Sequence, residues 1–302
     1  MMEISRRALI AGLPLVPIAA RAATSLRVVA SFSIIADMVA QIGGPHVAVA
    51  SLVGPGEDMH AYQPRPSDAQ AVATADLMVI NGLGLEPWAE RLATAAGYRK
   101  PGVVASRGVK ALVGGHRHHG GGQAHDHGAF DPHAWQDVAN ARLYAANIRD
   151  GLVAADPARA AAYKEAAAAY IARLYVLDLD IKAAFLPIPR AQRLIVTSHE
   201  AFNYYGDAYA VDFLAPRGLS TDHEPSAKEI AALVGQIRAE RVRALFLENT
   251  AAPGLLRQIA RETGVAIGGT LYGDALTGPN GPASSYEAMM RHNTATLVAA
   301  LR

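Results

Sequence analysis

The stretch that decides the fold runs from Asp156 to Phe185 and reads DPARAAAYKEAAAAYIARLYVLDLDIKAAF. Beyond Pro157 it holds neither glycine nor proline, and strong helix formers fill it. Proline suits a first helical turn, where its missing N–H is not needed, and Pro187 stands just past the other end. One unbroken helix of this length extends about 40 Å, longer than a small domain is wide. It sits near the middle of a 302-residue chain. It therefore reads as a spine joining two halves.

Both halves alternate strand and helix. Before the spine, strand-like runs at 25–30 (SLRVVA), 46–53 (HVAVASLV), 76–80 (DLMVI) and 103–106 frame helical spacing at 33–42, 67–74 and 86–96. After it, runs at 193–197 (RLIVT), 211–214, 244–247 (ALFL) and 265–270 frame helices at 201–209, 227–240, 254–263 and 284–301. Ser226-Ala-Lys-Glu229 is a capping box at one of these starts. Such alternation predicts parallel sheets covered by helices. The expected fold class is α/β: two lobes, each with a mainly parallel sheet flanked by helices, joined by one long spine helix. The expected boundaries are 23–155 for the N-terminal lobe, 156–186 for the linking helix and 187–302 for the C-terminal lobe. No repeat between the halves is visible in the residues themselves.

Hydrophobic residues make up 51% of the chain and charged ones 18%, a globular composition. The formal net charge is +1 and no Lys/Arg-rich run occurs, so no nucleic-acid partner is expected. At the N-terminus, Arg6 and Arg7 precede an apolar run over 8–20, and Ala20-Arg21-Ala22 is a small-x-small triplet. Residues 1–22 read as a secretory signal peptide, too short to span a bilayer. The Ser5-Arg6-Arg7 triplet hints at twin-arginine export. The chain has no cysteine, hence no disulfide, no thiolate ligand and no acylation site of the lipoprotein kind. A protein soluble in the periplasm after cleavage of that peptide is expected.

Open α/β sheets place their sites beyond the carboxyl ends of strands. After HVAVASLV comes GPGEDMHAYQPRP with His60. After RLIVT comes SHEAF with His199, and after VAIGGT comes LYGDALTG with Asp274. His133 in FDPHAWQD is a fourth candidate. Two of the four precede the spine and two follow it, so a metal held by all four would lie between lobes. Glu248, which ends the ALFL strand, reads either as an outer partner of a ligand imidazole or as a plain buried acceptor. His46, His223 and His292 read as edge, loop and helix-surface residues.

A further five of the eleven histidines crowd into residues 114–128, GGHRHHGGGQAHDHG: His116, His118, His119, His125 and His127. Six glycines in fifteen positions give this loop no means of forming a core. Its imidazoles suit weak, interchangeable metal binding as an accessory, not a tight site.

Four ordered segments carry a family resemblance: SLVGPGEDMHAYQPRPSDAQAVATADLMVINGLGLEPW, DPHAWQD, VTSHEAFNYYGDAY and LYGDALTG. With the spine, they resemble the solute-binding proteins of zinc and manganese ABC importers over nearly the whole chain. The resemblance implies metal ligands at His60, His133, His199 and Asp274, and two lobes that close little. It implies a transmembrane permease as partner, with a periplasmic zinc metallochaperone as a second partner and a monomeric receptor. Three imidazoles and one carboxylate suit Zn²⁺, whereas Mn²⁺ prefers more oxygen. A histidine-rich loop near the cleft also implies zinc over manganese in this family, and the expectation is that it captures or senses zinc.

Rival readings are a manganese-binding receptor of the same type, a zinc hydrolase and a metallochaperone without a permease. Four protein ligands would leave no position for an activated water. His199-Glu200 is followed by Ala-Phe-Asn203, so the HExxH pattern fails at its second histidine. The expected function is therefore carriage of Zn²⁺, not catalysis.

Overall fold

The structure, a computed structural model, describes residues 25–113, 130–218, 221 and 224–302. The proposed signal peptide, the five loop histidines and His223 lie outside these residues.

The first half builds β1 (Leu26–Phe32), α1 (Ser33–Gly43), β2 (Val47–Val53), α2 (Pro66–Thr74), β3 (Leu77–Ile80), α3 (Ala89–Ala95) and β4 (Gly102–Val104). Their sheet is fully parallel with order β2-β1-β3-β4. Then come α4 (Val138–Ala155) and the spine α5 (Ala160–Phe185). The second half builds β5 (Leu194–Val196), α6 (Asn203–Tyr209), β6 (Asp212–Leu214), α7 (Ala227–Glu240), β7 (Ala244–Glu248), α8 (Gly254–Thr263), β8 (Ile267–Leu271) and α9 (Tyr286–Leu301). Its sheet is also parallel, with order β6-β5-β7-β8. The two orders are the same once each lobe is counted from its first strand. This architectural repeat is invisible in the residues because only topology, not side-chain identity, is shared.

The spine reaches both lobes through one buried stripe. Tyr163, Ala167, Tyr170, Leu174, Leu177, Ile181 and Phe185 recur every three or four residues and are all buried. They join one apolar core that runs from the first sheet to α9. A smaller core, built on Val196, Leu245, Ile237 and Ile259, serves the outer part of the second lobe. Arg173 on the spine bonds Gln41 of α1 at 2.8 Å and Glu287 of α9 at 3.1 Å, tying one lobe to the other.

Most boundaries shift by a few residues from expectation, and two of the shifts have evident local reasons. The helix expected from residue 86 starts at Ala89. The Glu86 carboxylate instead turns back to accept the N–H groups of Asn81 and Gly82 at 2.7 and 3.0 Å, closing a loop. The spine's first turn, Pro157–Arg159, is a 3-10 turn. There Asp156 takes hydrogen bonds from Arg159 and Tyr163. Helix α4, absent from the expected elements, packs along the spine. Gly151 lets it lie on β4, since a Cβ there would stand 2.1 Å from a Val103 methyl. No helix among the described residues is long and apolar enough to cross a membrane.

Leu174→Ala is expected to cost about 2–5 kcal/mol in denaturant unfolding. Leu179→Ala, on the half-exposed face of the same helix, should fall within about 0.5 kcal/mol of wild type. Equal effects would mean that the buried stripe is not what joins the lobes.

Candidate metal centre

The loops beyond β2, β5 and β8 and the turn before α4 meet between the lobes. They bring His60, His133, His199 and Asp274 together, with one ligand atom from each lying within 4.8 Å of all the others. The three imidazole rings form a near-equilateral set, with centroids 5.3, 5.4 and 5.6 Å apart. His60 Nε2 lies 3.3 Å from His133 Nε2 and 3.5 Å from Asp274 Oδ2. Asp274 Oδ1 lies 3.5 Å from His133 Nε2, and its Oδ2 lies 3.0 Å from His199 Nε2.

These spacings fit a shared ion. A tetrahedron with metal–ligand bonds of about 2.0–2.1 Å has edges of about 3.3 Å. His199 Nε2 and both Asp274 oxygens are buried without an aligned hydrogen-bond partner. They sit close to one another yet aim at a common point. Buried polar atoms left this way are costly unless something else satisfies them. His133, His199 and Asp274 are fully buried or nearly so, whereas the His60 side chain keeps 7% exposure and forms the water-facing side.

Two of the imidazoles are held from behind, and the third by its backbone. Asp131, buried completely, accepts both the backbone N–H and ring Nδ1 of His133, at 2.9 and 2.8 Å. The nitrogen facing the centre is then Nε2. Glu248 fills both roles open to it in the sequence. Its Oε2 lies 2.8 Å from His199 Nδ1, and its Oε1 accepts the N–H groups of Ser198 and His199. Asp58 accepts the His60 N–H at 2.9 Å and the Thr221 hydroxyl at 2.7 Å. Behind Asp274, the Gly273 carbonyl accepts Trp135 Nε1 at 3.0 Å and Gln136 Nε2 at 2.8 Å.

Burial alone would lower the His199 pKa, but the Glu248 and Asp274 carboxylates outweigh it and hold the imidazole well above its usual value. Burial would likewise raise Asp274, but the His199 and His133 imidazoles hold its carboxyl well below the usual range. The centre is thus a strong site for positive charge.

Sequence reasoning misses Asp131, Trp135, Gln136, Asn203 and Gly273, although all lie in or beside the motif segments. An Asp two residues before a ligand histidine is the signal that could have found the first of them. His292, expected on a helix surface, is half-buried, with Nε2 3.1 Å from the Thr270 carbonyl and its ring against Tyr272. Close packing of α9 on β8, which helical spacing alone does not reveal, puts it there.

Two parallel α/β lobes, a helical spine and a buried histidine–carboxylate cluster between them describe a metal-binding receptor of the ABC-transporter class. The family profile described as zinc-uptake complex component A, periplasmic, matches residues 28–300, and the chain belongs to that family. It is 36% identical over 276 residues to the manganese-binding lipoprotein MntA of Halalkalibacterium halodurans, covering 91% of this chain and 88% of that one. It is 32% identical over 275 residues to the iron ABC transporter substrate-binding lipoprotein MtsA of Streptococcus pyogenes, covering 89% and 86%. Among solved structures, the periplasmic zinc-binding protein TroA from Treponema pallidum superposes with a TM-score of 0.84 at 27% identity, covering 92% of this chain and 99% of that one.

In the metal-free protein, the His199 ring should titrate well above the ordinary 6.5. It should stay protonated at pH 7, as read by its NMR ring signals. Glu248→Gln should bring that midpoint down. A wild-type midpoint at or below the ordinary value would show that the two carboxylates do not govern the charge of the ring.

Proposed function

We propose that this chain binds Zn²⁺ at His60, His133, His199 and Asp274 outside the cytoplasmic membrane and hands it to the permease of an ABC importer. One observation carries the reading: four ligand atoms converge within 4.8 Å of one another, and those of His199 and Asp274 are buried and short of partners. Zinc rather than manganese follows from the donor set. Three imidazoles with one carboxylate favour the later metals, and zinc holds four-coordinate nitrogen–oxygen sites readily. The relatives are named for manganese, iron and zinc, so the family sets the role while the donors argue the metal. Carriage rather than catalysis follows from a centre whose ligands leave no open face except past His60.

The same reading divides the chain as the sequence suggested. Residues 1–22 are a signal peptide, 23–155 and 187–302 are the lobes, and 156–186 join them. The histidines at 116, 118, 119, 125 and 127 gather zinc loosely, and the residues on either side of their segment, Val113 and Phe130, form an isolated antiparallel bridge.

The test is a competition titration of Zn²⁺ against a chelator of known strength, on a chain lacking residues 114–128. One tight zinc should remain. Alanine at any of the four ligands should cost more than the roughly 100-fold that loss of an outer partner costs. If tight binding disappears with the loop, the loop is the site. If Mn²⁺ displaces Zn²⁺ at equal free concentration, the manganese reading replaces this one.

The proton count is a second check. Glu248 and Asp274 favour the protonated His199 ring in the metal-free site, so zinc binding near pH 7 is expected to release a proton. Affinity should therefore rise about tenfold per pH unit for each proton displaced, and fall as acid is added. Calorimetry in two buffers of different ionisation enthalpy reads that proton directly. No buffer dependence would contradict a protonated His199 in the metal-free site.

A further inference from the structure

The direct partners of the three histidines sit in the same lobe as the histidine they hold, but several of the supports behind them reach across the lobe boundary. His133 belongs to the first lobe, and its orienting carboxylate, Asp131, has two oxygens with different duties. Oδ1 faces His133, while Oδ2 accepts Asn203 Nδ2 at 3.0 Å. Asn203 opens α6 in the second lobe, four residues after His199. The next residue, Tyr204, donates its hydroxyl to the Asp131 backbone carbonyl at 3.1 Å. Asp274 shows the mirror arrangement, since its neighbour Gly273 is gripped by Trp135 and Gln136 of the first lobe.

A carboxylate engaged at both oxygens has one orientation. Among the described residues Asn203 is the donor facing Oδ2, and without it this buried oxygen would be left unpaired by them, a state costly enough to make the group rotate or draw in water. Either movement takes Oδ1 off the His133 ring and frees the imidazole to tilt.

We propose that Asn203 is a positioning residue, which orients His133 from across the lobe boundary through Asp131. The quality of the metal centre then depends on how the lobes are seated, even though Asn203 never touches the ion. Drawing the lobes apart breaks the Asn203–Asp131 bond and loosens His133 before any ligand leaves. Transmission of a pull at the lobes to the grip on the metal follows from this geometry. The proposal rests on the four-ligand reading above.

The experiment is a double-mutant cycle in the full chain, read by Zn²⁺ competition and by the visible absorption of bound Co²⁺. Asn203→Leu keeps the volume and removes the donor; Asn203→Ala is measured alongside because it adds no bulk. Thermal unfolding of each metal-free variant checks the fold. Asn203→Leu should lower zinc affinity about 10–100-fold, as for other outer partners. In a His133→Ala background the same change should alter affinity by no more than about twofold, the limit of additivity for uncoupled sites. The Co²⁺ spectrum of Asn203→Leu should move towards that of His133→Ala. An equal loss in both backgrounds, or no loss in either, overturns the proposal. A His133→Ala variant that binds as tightly as wild type instead defeats the four-ligand reading, and this proposal falls with it.

Discussion

The structure depends on burying four polar groups at one point. Taking a carboxylate and imidazoles out of water is expensive, and the expense is offset only by good partners. Asp131 and Glu248 brace two of the rings, Asp58 braces the loop of the third, and the Gly273 carbonyl is held beside Asp274. The first three lie within one lobe, but the hold on Gly273 comes from Trp135 and Gln136 across the lobe boundary and is lost if the lobes sit elsewhere. The spine's continuous apolar stripe and the bridge from Arg173 to Gln41 and Glu287 are therefore as much a part of the centre as the ligands.

The repeated strand order explains why a cleft forms where it does. In each lobe the second strand lies on one side of the first and the third on the other, so the loops at the carboxyl ends diverge and leave a crevice. Bringing two such crevices together makes one site lined by both. His60 and Asp274 reach it from loops that follow edge strands. His199 reaches it from the loop after a central strand.

Much of this is legible in the sequence. Alternating runs point to the parallel sheets, helix formers between Pro157 and Pro187 to the spine, and residues following strands to the four that converge. Periodicity speaks to local structure, and those features are local. The rest is not. Asn203 meets Asp131 across 72 residues, and Gly273 meets Trp135 across 138. Nothing in either neighbourhood encodes such a pairing. Glu86 reads as a helix start, yet its carboxylate serves a loop, a choice made by hydrogen bonding and not by propensity. The shared strand order escapes for the same reason: hydrogen-bonded adjacency of strands leaves no mark in any single run of residues.

The even division of the four converging groups, two from each lobe, has a consequence for the lifetime of the molecule if they hold the metal as proposed. A half-folded or nicked chain holds at most two of the four groups, so cargo binds the complete native state and hardly anything else. Binding of that kind stabilises by mass action and grows with free metal. Cells degrade proteins according to how often they open. On the four-ligand reading, a chain carrying metal opens less often than an empty one and is the poorer substrate for proteases.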